Sequence, residues 1–264
     1  MRIGNVTITS LEDMLFFDPV TSDYWFTLDE MHNGTIAQSE DKVDITGKQG
    51  RKLNSLKRNK AVTVSGTNGL VSTGLLEAQT GGTAESKATP GMWHDDIFVN
   101  NDTAATSFVA VGSAGNEIDT VYIKNKDGTL GKELTQGAGV AAGVFTYNPA
   151  TKVLTFDENE IADGTEIVAY YTRKISGTVL ENFSDNYSKK AKVYINAFGE
   201  DNCANIYRVQ FYLPLVDFDG NFELAMGETQ TVHNFSMESL AGGCGASGLY
   251  WTYTIFGAEA EDAA

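Results

Sequence analysis

GNFELAMGETQTVHNFSMESL, residues 220–240, carries the alternation that sets the fold class. Phe222, Leu224 and Met226 alternate with Glu223 and Ala225, and Phe235 and Met237 resume the spacing after a polar middle. A period of two puts the large apolar side chains on one face, so the stretch reads as two half-buried strands with a bend between them. Backbone groups at a strand's sides need partners. The expectation is that some neighbours of these C-terminal strands belong to another copy of the chain.

The same period recurs upstream. Val62 and Val64 alternate in AVTVSG, Val121 and Ile123 in DTVYIKN, and Ile167, Ala169 and Tyr171 in EIVAYYT. Val193, Ile195 and Ala197 do so in KVYINAF, and Val209, Phe211 and Leu213 in RVQFYLP, where Pro214 is expected to end the ladder or mark an edge. Turn dipeptides punctuate these runs at Asn33-Gly34, Asn68-Gly69, Asp127-Gly128, Asp163-Gly164 and Asp219-Gly220. The pattern predicts a mostly β protein, an antiparallel β-sandwich or partial barrel with one or two short helices. One helix is expected in SLEDMLFF from Ser10, stopped before Pro19. ESLAGG from Glu238 reads equally as a helical turn or as strand continuation. Residues 81–96 and 131–144, rich in small and polar residues, are expected to be loops.

The expected organisation is one β domain over 1–256, followed by an acidic, flexible tail over 257–264. Residues 116–175 form a self-contained run of strands, either a small inserted β lobe or the middle of the sandwich. The chain of 264 residues is long enough to build a core without staples. Cys203 and Cys244 make no disulfide framework and are expected to be free thiols of a protein made in a reducing compartment. The opening MRIGNVTITSLEDM has no apolar signal region and no run approaches the ~20 apolar residues of a membrane helix, so neither secretion nor membrane insertion is expected.

Little in the chain points to chemistry. His32, His94 and His233 lie far apart, and His94 with Asp95 and Asp96 would need further ligands to hold a metal. Asp217, Asp219, Asn221 and Glu223 occupy alternate positions, but the glycine and distal glutamate of a calcium loop are out of place, so a solvated hairpin is expected. Cys203 has no catalytic signature, and no G-x-S-x-G, Walker or H-E-x-x-H pattern occurs. The sequence therefore predicts no catalytic residue, no cofactor and no metal site, and a protein that is not an enzyme.

Charge is the more informative feature. Formal net charge is −16, yet KQGRKLNSLKRNK, residues 48–60, holds Lys48, Arg51, Lys52, Lys57, Arg58 and Lys60 without an acid. Residues 61–264 carry 26 acids against 11 bases, which argues against duplex binding. The basic block is either a solvated face or a contact with an acidic patch on a neighbouring subunit. These six residues are the subunit-interface candidates.

Three stretches carry a resemblance to the tail tube (major tail) proteins of tailed bacteriophages: residues 50–82, residues 144–172, and YRVQFYLPLVDFD leading into 220–240. The resemblance implies a virion structural protein of the tail, made in the bacterial cytoplasm. It implies hexameric rings stacked into a hollow tube, each subunit lending about four strands to a barrel around the lumen. DNA would pass without specific binding. The implied partners are other copies, the tape measure and tail terminator proteins, and the sheath where a tail has one. Six such sheets give about 24 strands; at roughly 4.8 Å per strand and about 40° tilt the backbone diameter is roughly 48 Å, which leaves about 38 Å after inward side chains. The excess acids are expected to line the channel, where they would let the polyanion slide. Two alternatives remain open at this point: a capsid decoration or other head protein, and a β-rich carbohydrate-binding or adhesion module using Trp25, Trp93 and Trp251.

Overall fold

The computed structural model describes residues 5–158, 160–225, 232–241 and 248–256. The acidic tail expected at 257–264, Met226, Cys244 and the end of ESLAGG lie outside the described residues. In chain order the elements open with strands β1 (Thr7–Phe17), β2 (Tyr24–Leu28), β3 (Met31–Thr46) and β4 (Lys52–Asn68) and helix α1 (Thr73–Thr80). There follow β5 (Ala84–Phe98), β6 (Thr103–Ala105), β7 (Ile118–Lys124), β8 (Leu130–Gln136), β9 (Val144–Asn148), β10 (Val153–Thr155) and β11 (Glu166–Leu180). The last group is β12 (Lys190–Glu200), β13 (Ile206–Phe218), β14 (Leu224–Ala225), β15 (Val232–Ser239) and β16 (Thr252–Ile255). The chain divides into two compact units: unit 1 from residues 1–84 and 180–264, and unit 2 from residues 85–179.

Unit 1 is one sheet in the order β2-β1-β12-β13-β15-β4-β3, with β14 on β15 and β16 on β13, curled into a half-barrel. Its ladders are antiparallel. The alternating residues of the sequence fill its inner face: Val62, Val64, Val193, Ile195, Ala197, Val209 and Leu213 are buried, and Phe211 is half-buried. Phe16 stacks on Phe26 at 4.4 Å between ring centroids, and Phe235 and Met237 close the same cluster.

Four sequence expectations are corrected here. The SLEDMLFF segment is strand β1, not helix: Met14 and Phe16 are buried two apart, and flanking strands β12 and β2 satisfy the backbone on both sides. Strand β15 of the opening stretch has both neighbours, β13 and β4, within its own chain, whereas β14 and β16 each pair on one side only among the described residues. Pro214 neither ends β13 nor marks an edge; it falls at a register irregularity between the Ala191–Val216 and Val193–Leu213 pairs, where a missing N–H breaks no ladder bond. Asn33-Gly34 runs through β3 instead of turning.

The helix lies at Thr73–Thr80, where no element was expected. Ser72 Oγ accepts from the Leu75 N–H and caps α1, and Gly81 ends it with φ +76° while its N–H donates to the Glu77 carbonyl. A Cβ at Gly81 would lie 2.0 Å from the Tyr187 carbonyl oxygen, so this left-handed position requires glycine. The helix buries Leu75, Ala78 and Gln79 against the unit 1 core. Gln79 Oε1 lies 2.7 Å from Nε2 of His233, and Gln79 Nε2 donates to the Asn234 carbonyl at 3.0 Å, which ties helix to sheet.

Burial holds the His233 imidazole below its ordinary pKa. The unfolded chain then binds a proton that the folded chain refuses, so stability falls as pH drops from about 6.5, the unfolded histidine value, until the folded pKa is passed. Urea denaturation across pH 5–7.5 is expected to show this limb, and His233→Gln to flatten it.

Unit 2 is a second sheet in the order β5-β11-β7-β8-β9-β10-β6, antiparallel apart from the parallel β8–β9 pair. Val121, Leu134, Phe145, Leu154, Ile167 and Tyr171 form its core. Residues 84–96, read as loop, belong to β5, and 131–136 of the second expected loop belong to β8. Pairing supplied by β11 and β7 overrides their weak intrinsic signal. Asp127-Gly128 and Asp163-Gly164 do turn the chain, with Gly128 and Gly164 at φ +84° and +81°.

Candidate assembly surface

Strands β3 and β4 are 16 and 17 residues long, far beyond the usual five or six. Only the lower part of β4, Val62–Asn68, is also paired to β15; from Lys52 to Arg58 it pairs with β3 alone. Residues 40–60 therefore form a two-stranded arm that leaves the sheet. Its tip is a 3-10 turn at Lys48–Gly50, with Gln49 and Gly50 both at positive φ. The outer edge of β3 has no partner strand among the described residues. A ribbon of this kind is marginal in water unless something covers it, and a long free edge invites pairing.

All six basic candidates lie on this arm. Lys48 is in the tip turn, Arg51 follows it, and Lys52, Lys57, Arg58 and Lys60 run down β4. The facing strand supplies acids the linear sequence kept apart from them. Lys52 Nζ lies 2.6 Å from Asp44, and Lys57 Nζ 3.0 Å from Glu40. The Lys57 hydrogen bond holds the Glu40 carboxyl below its usual range. Arg58 is opposite Asp41, whose carboxylate accepts from Asn59 Nδ2 at 2.9 Å. Lys60 lies over the Tyr250 ring, and Tyr250 Oη donates to the Lys60 carbonyl, which anchors the base of the arm. Solvent-exposed pairs like these contribute little to stability.

The register gives the arm two different faces. Lys42 opposite Lys57 and Asp44 opposite Ser55 make one charged face. Val43 opposite Leu56, with Ile45 beside them, makes an apolar patch on the other face, bordered by Asn54 and by the Asp41–Arg58 pair. Val43, Ile45, Leu53 and Leu56 are 37–61% exposed, which marks them as uncovered aliphatic surface within 14 residues of chain. Sequence reasoning passed over these four. Their one signal, the alternation in KVDIT, becomes an apolar face only when the partner strand is known.

A second apolar feature lies in unit 1. A cavity of about 340 Å³ is lined by Ile8, Leu11, Ile36, Phe211 and Trp251, with Met14 and Val64 deeper in.

The remaining titratable groups are structural in arrangement. Asp95 is buried in unit 2 and accepts from Tyr171 Oη at 2.6 Å, the Ser107 N–H at 2.7 Å and Trp93 Nε1 at 3.1 Å. Burial pushes its carboxyl up, and these bonds outweigh burial and leave it below the ordinary value. Burial, together with the bond to Asp95, pushes the Tyr171 phenol up. Cys203 is a free, exposed thiol. Asp219 accepts from the Asn221 N–H and side chain in a local turn. Among the described residues no group of three or more His, Cys, Asp or Glu side chains converges to hold a metal ion. No helix among them is long and apolar enough to cross a membrane.

No curated protein matches the chain. A family comparison does: the sequence matches over residues 6–249, from the start of β1 past β15, and so takes in both units and the whole arm. With the uncovered arm, the free edge and a β-rich architecture already in view, that match settles the assignment: the chain belongs to the YomU/Tube protein family, a family of phage-derived tube proteins.

Proposed function

We propose that this protein self-assembles into stacked rings, six subunits to a ring, to form the tail tube of a phage virion and the conduit through which genome DNA leaves. The observation that carries this is the arm. A hairpin with an exposed aliphatic patch on one face and charge on the other and around that patch, at the end of a curled sheet, has the form of half an interface. Family membership supports the tube, and the excess of 35 acids over 19 bases fits a wall that does not hold DNA.

In this scheme the arm bridges subunits. Its apolar face supplies most of the binding energy, because burying aliphatic surface is worth roughly 25 cal/mol per Å². Lys48, Arg51, Lys52, Lys57, Arg58 and Lys60 supply electrostatic register against an acidic neighbour. The tape measure and tail terminator proteins, and a sheath in a contractile tail, are the further partners.

Negative-stain electron microscopy of purified protein at rising concentration tests the proposal. Rings or tubes with a central hole are the expected result. Monomers at every concentration and salt condition would overturn it.

A further inference from the structure

We propose that Arg173, seated in the corner between the rings of Trp93 and Phe108, is a binding site for a carboxylate-bearing saccharide of the uronic acid class. All three residues belong to unit 2, and this role does not depend on assembly.

The guanidinium is held by two aromatic faces. Its central carbon lies 4.2 Å from the centroid of the Trp93 ring and 3.5 Å from that of Phe108, and the two rings meet edge to face at 87°. Both rings are fixed from behind. Trp93 Nε1 donates to buried Asp95 at 3.1 Å, and the Phe108 N–H donates to Tyr171 Oη at 3.1 Å. The Ala110–Arg173 bridge and the bond from the Val111 N–H to the Thr172 carbonyl pin the segment after Phe108 to β11. A guanidinium stacked in this way has given up its rotation before a ligand arrives, which lowers the entropy cost of binding.

The cation has no anion. Among the described residues Arg173 makes no ion pair and its side chain donates no hydrogen bond. Asp95 spends its bonds on Tyr171, Ser107 and Trp93. Arg173 Nε is buried without a partner, whereas the two Nη groups are not, so the end of the fork is the edge that meets solvent. That edge presents two N–H donors in one plane, the arrangement that takes both oxygens of a carboxylate.

The surroundings select the class of ligand. With a net charge of −16 on the chain, a monoanion meets less repulsion than a dianion such as a phosphate monoester. Trp93 is 38% and Phe108 41% exposed, so open aromatic surface flanks the fork. A sugar ring lays its C–H groups on such a surface and keeps its hydroxyls in water. A hexuronic acid carries that ring and the carboxylate together. An aspartate or glutamate of another copy would bring only the charge and leave the aromatic rim uncovered.

Ligand-observed NMR titration of the purified protein at neutral pH, with trigalacturonic acid and with its fully methyl-esterified form, tests the site. The acid is expected to bind at least tenfold more tightly than the ester, with the difference shrinking as salt rises. Arg173→Gln should bring the acid down to the level of the ester. Arg173→Lys should recover little, because an ammonium keeps the charge and loses the planar fork. Circular dichroism checks that both variants fold, and the comparison of acid with ester on the unaltered protein needs neither. Particle formation by Arg173→Gln is expected to be unchanged. Equal binding of acid and ester, binding of neither, or undiminished binding by Arg173→Gln would overturn the site and leave the tube standing. Loss of particles in Arg173→Gln, with no uronate held by the unaltered protein, would overturn it as well and give the fork to an acid of a second copy.

Discussion

Asp95→Ala is expected to destabilise unit 2 by about 3–5 kcal/mol, enough to unfold a marginal β unit near room temperature. Three donors converge on this carboxylate: Tyr171 Oη, the Ser107 N–H and Trp93 Nε1. Tyr171 Oη in turn accepts from the Phe108 N–H at 3.1 Å, so the network ties together β5, β11 and the segment after β6. Alanine leaves the Tyr171 hydroxyl, on a residue 0% exposed, without its acceptor, while the Trp93 and Ser107 donors sit on exposed residues within reach of water. Each bond to a buried charge is worth roughly 1.5–3 kcal/mol, and partial hydration of the cavity recovers some of the sum. Tyr171→Phe removes one bond and keeps the ring, so its cost should be only about 1–2 kcal/mol. Urea denaturation followed by near-ultraviolet circular dichroism, with hydrogen exchange at β7 and β11 as a local readout, measures both. A loss below 1 kcal/mol for Asp95→Ala would show that the hub does not hold the unit together.

Val43→Asp combined with Leu56→Asp is expected to abolish assembly, raising the concentration at which particles appear by at least a hundredfold. Val43 is 37% and Leu56 53% exposed, so the folded monomer should lose only about 1 kcal/mol, much of it from two like charges placed opposite each other. The separation matters, because a folding defect would abolish assembly trivially. Two carboxylates placed opposite each other on the apolar face would have to be desolvated on docking, and that cost falls on the interface alone. Arg51→Gln with Arg58→Gln should weaken assembly several-fold, with the effect shrinking as salt is raised. Light scattering and electron microscopy at matched concentrations distinguish the two cases. Equal behaviour of both double variants would mean that charge, not aliphatic burial, drives the contact.

How much of this was legible beforehand differs by element. Period-two alternation marked Val62, Val64, Ile167, Ala169, Tyr171, Val193, Ile195 and Val209 as inward-facing, and all are buried. The resemblance to tail tube proteins agrees with the family to which the chain belongs. The helix was misplaced because SLEDMLFF has a plausible cap and an apolar run, while the true helix, TGLLEAQT, has two glycines beside it and a thin apolar stripe. Strand β5 was invisible because its composition is that of a loop, and only a neighbouring strand makes it extended. The basic block was seen, but its partners were not: Glu40, Asp41 and Asp44 sit 8–17 positions from the bases they face.

By itself the sequence determined the β class, the inward faces of the strands and the concentration of positive charge at 48–60, because periodicity and composition are local properties that a chain carries before it folds. Only the tertiary structure decided which strand lies beside which, and therefore which backbone edge stays bare, which acids neutralise the lysines, and which aliphatic side chains remain in water. Those outcomes depend on pairing between residues far apart in the chain. Val43 and Leu56 are two unremarkable residues until β3 and β4 set them side by side and in contact with solvent.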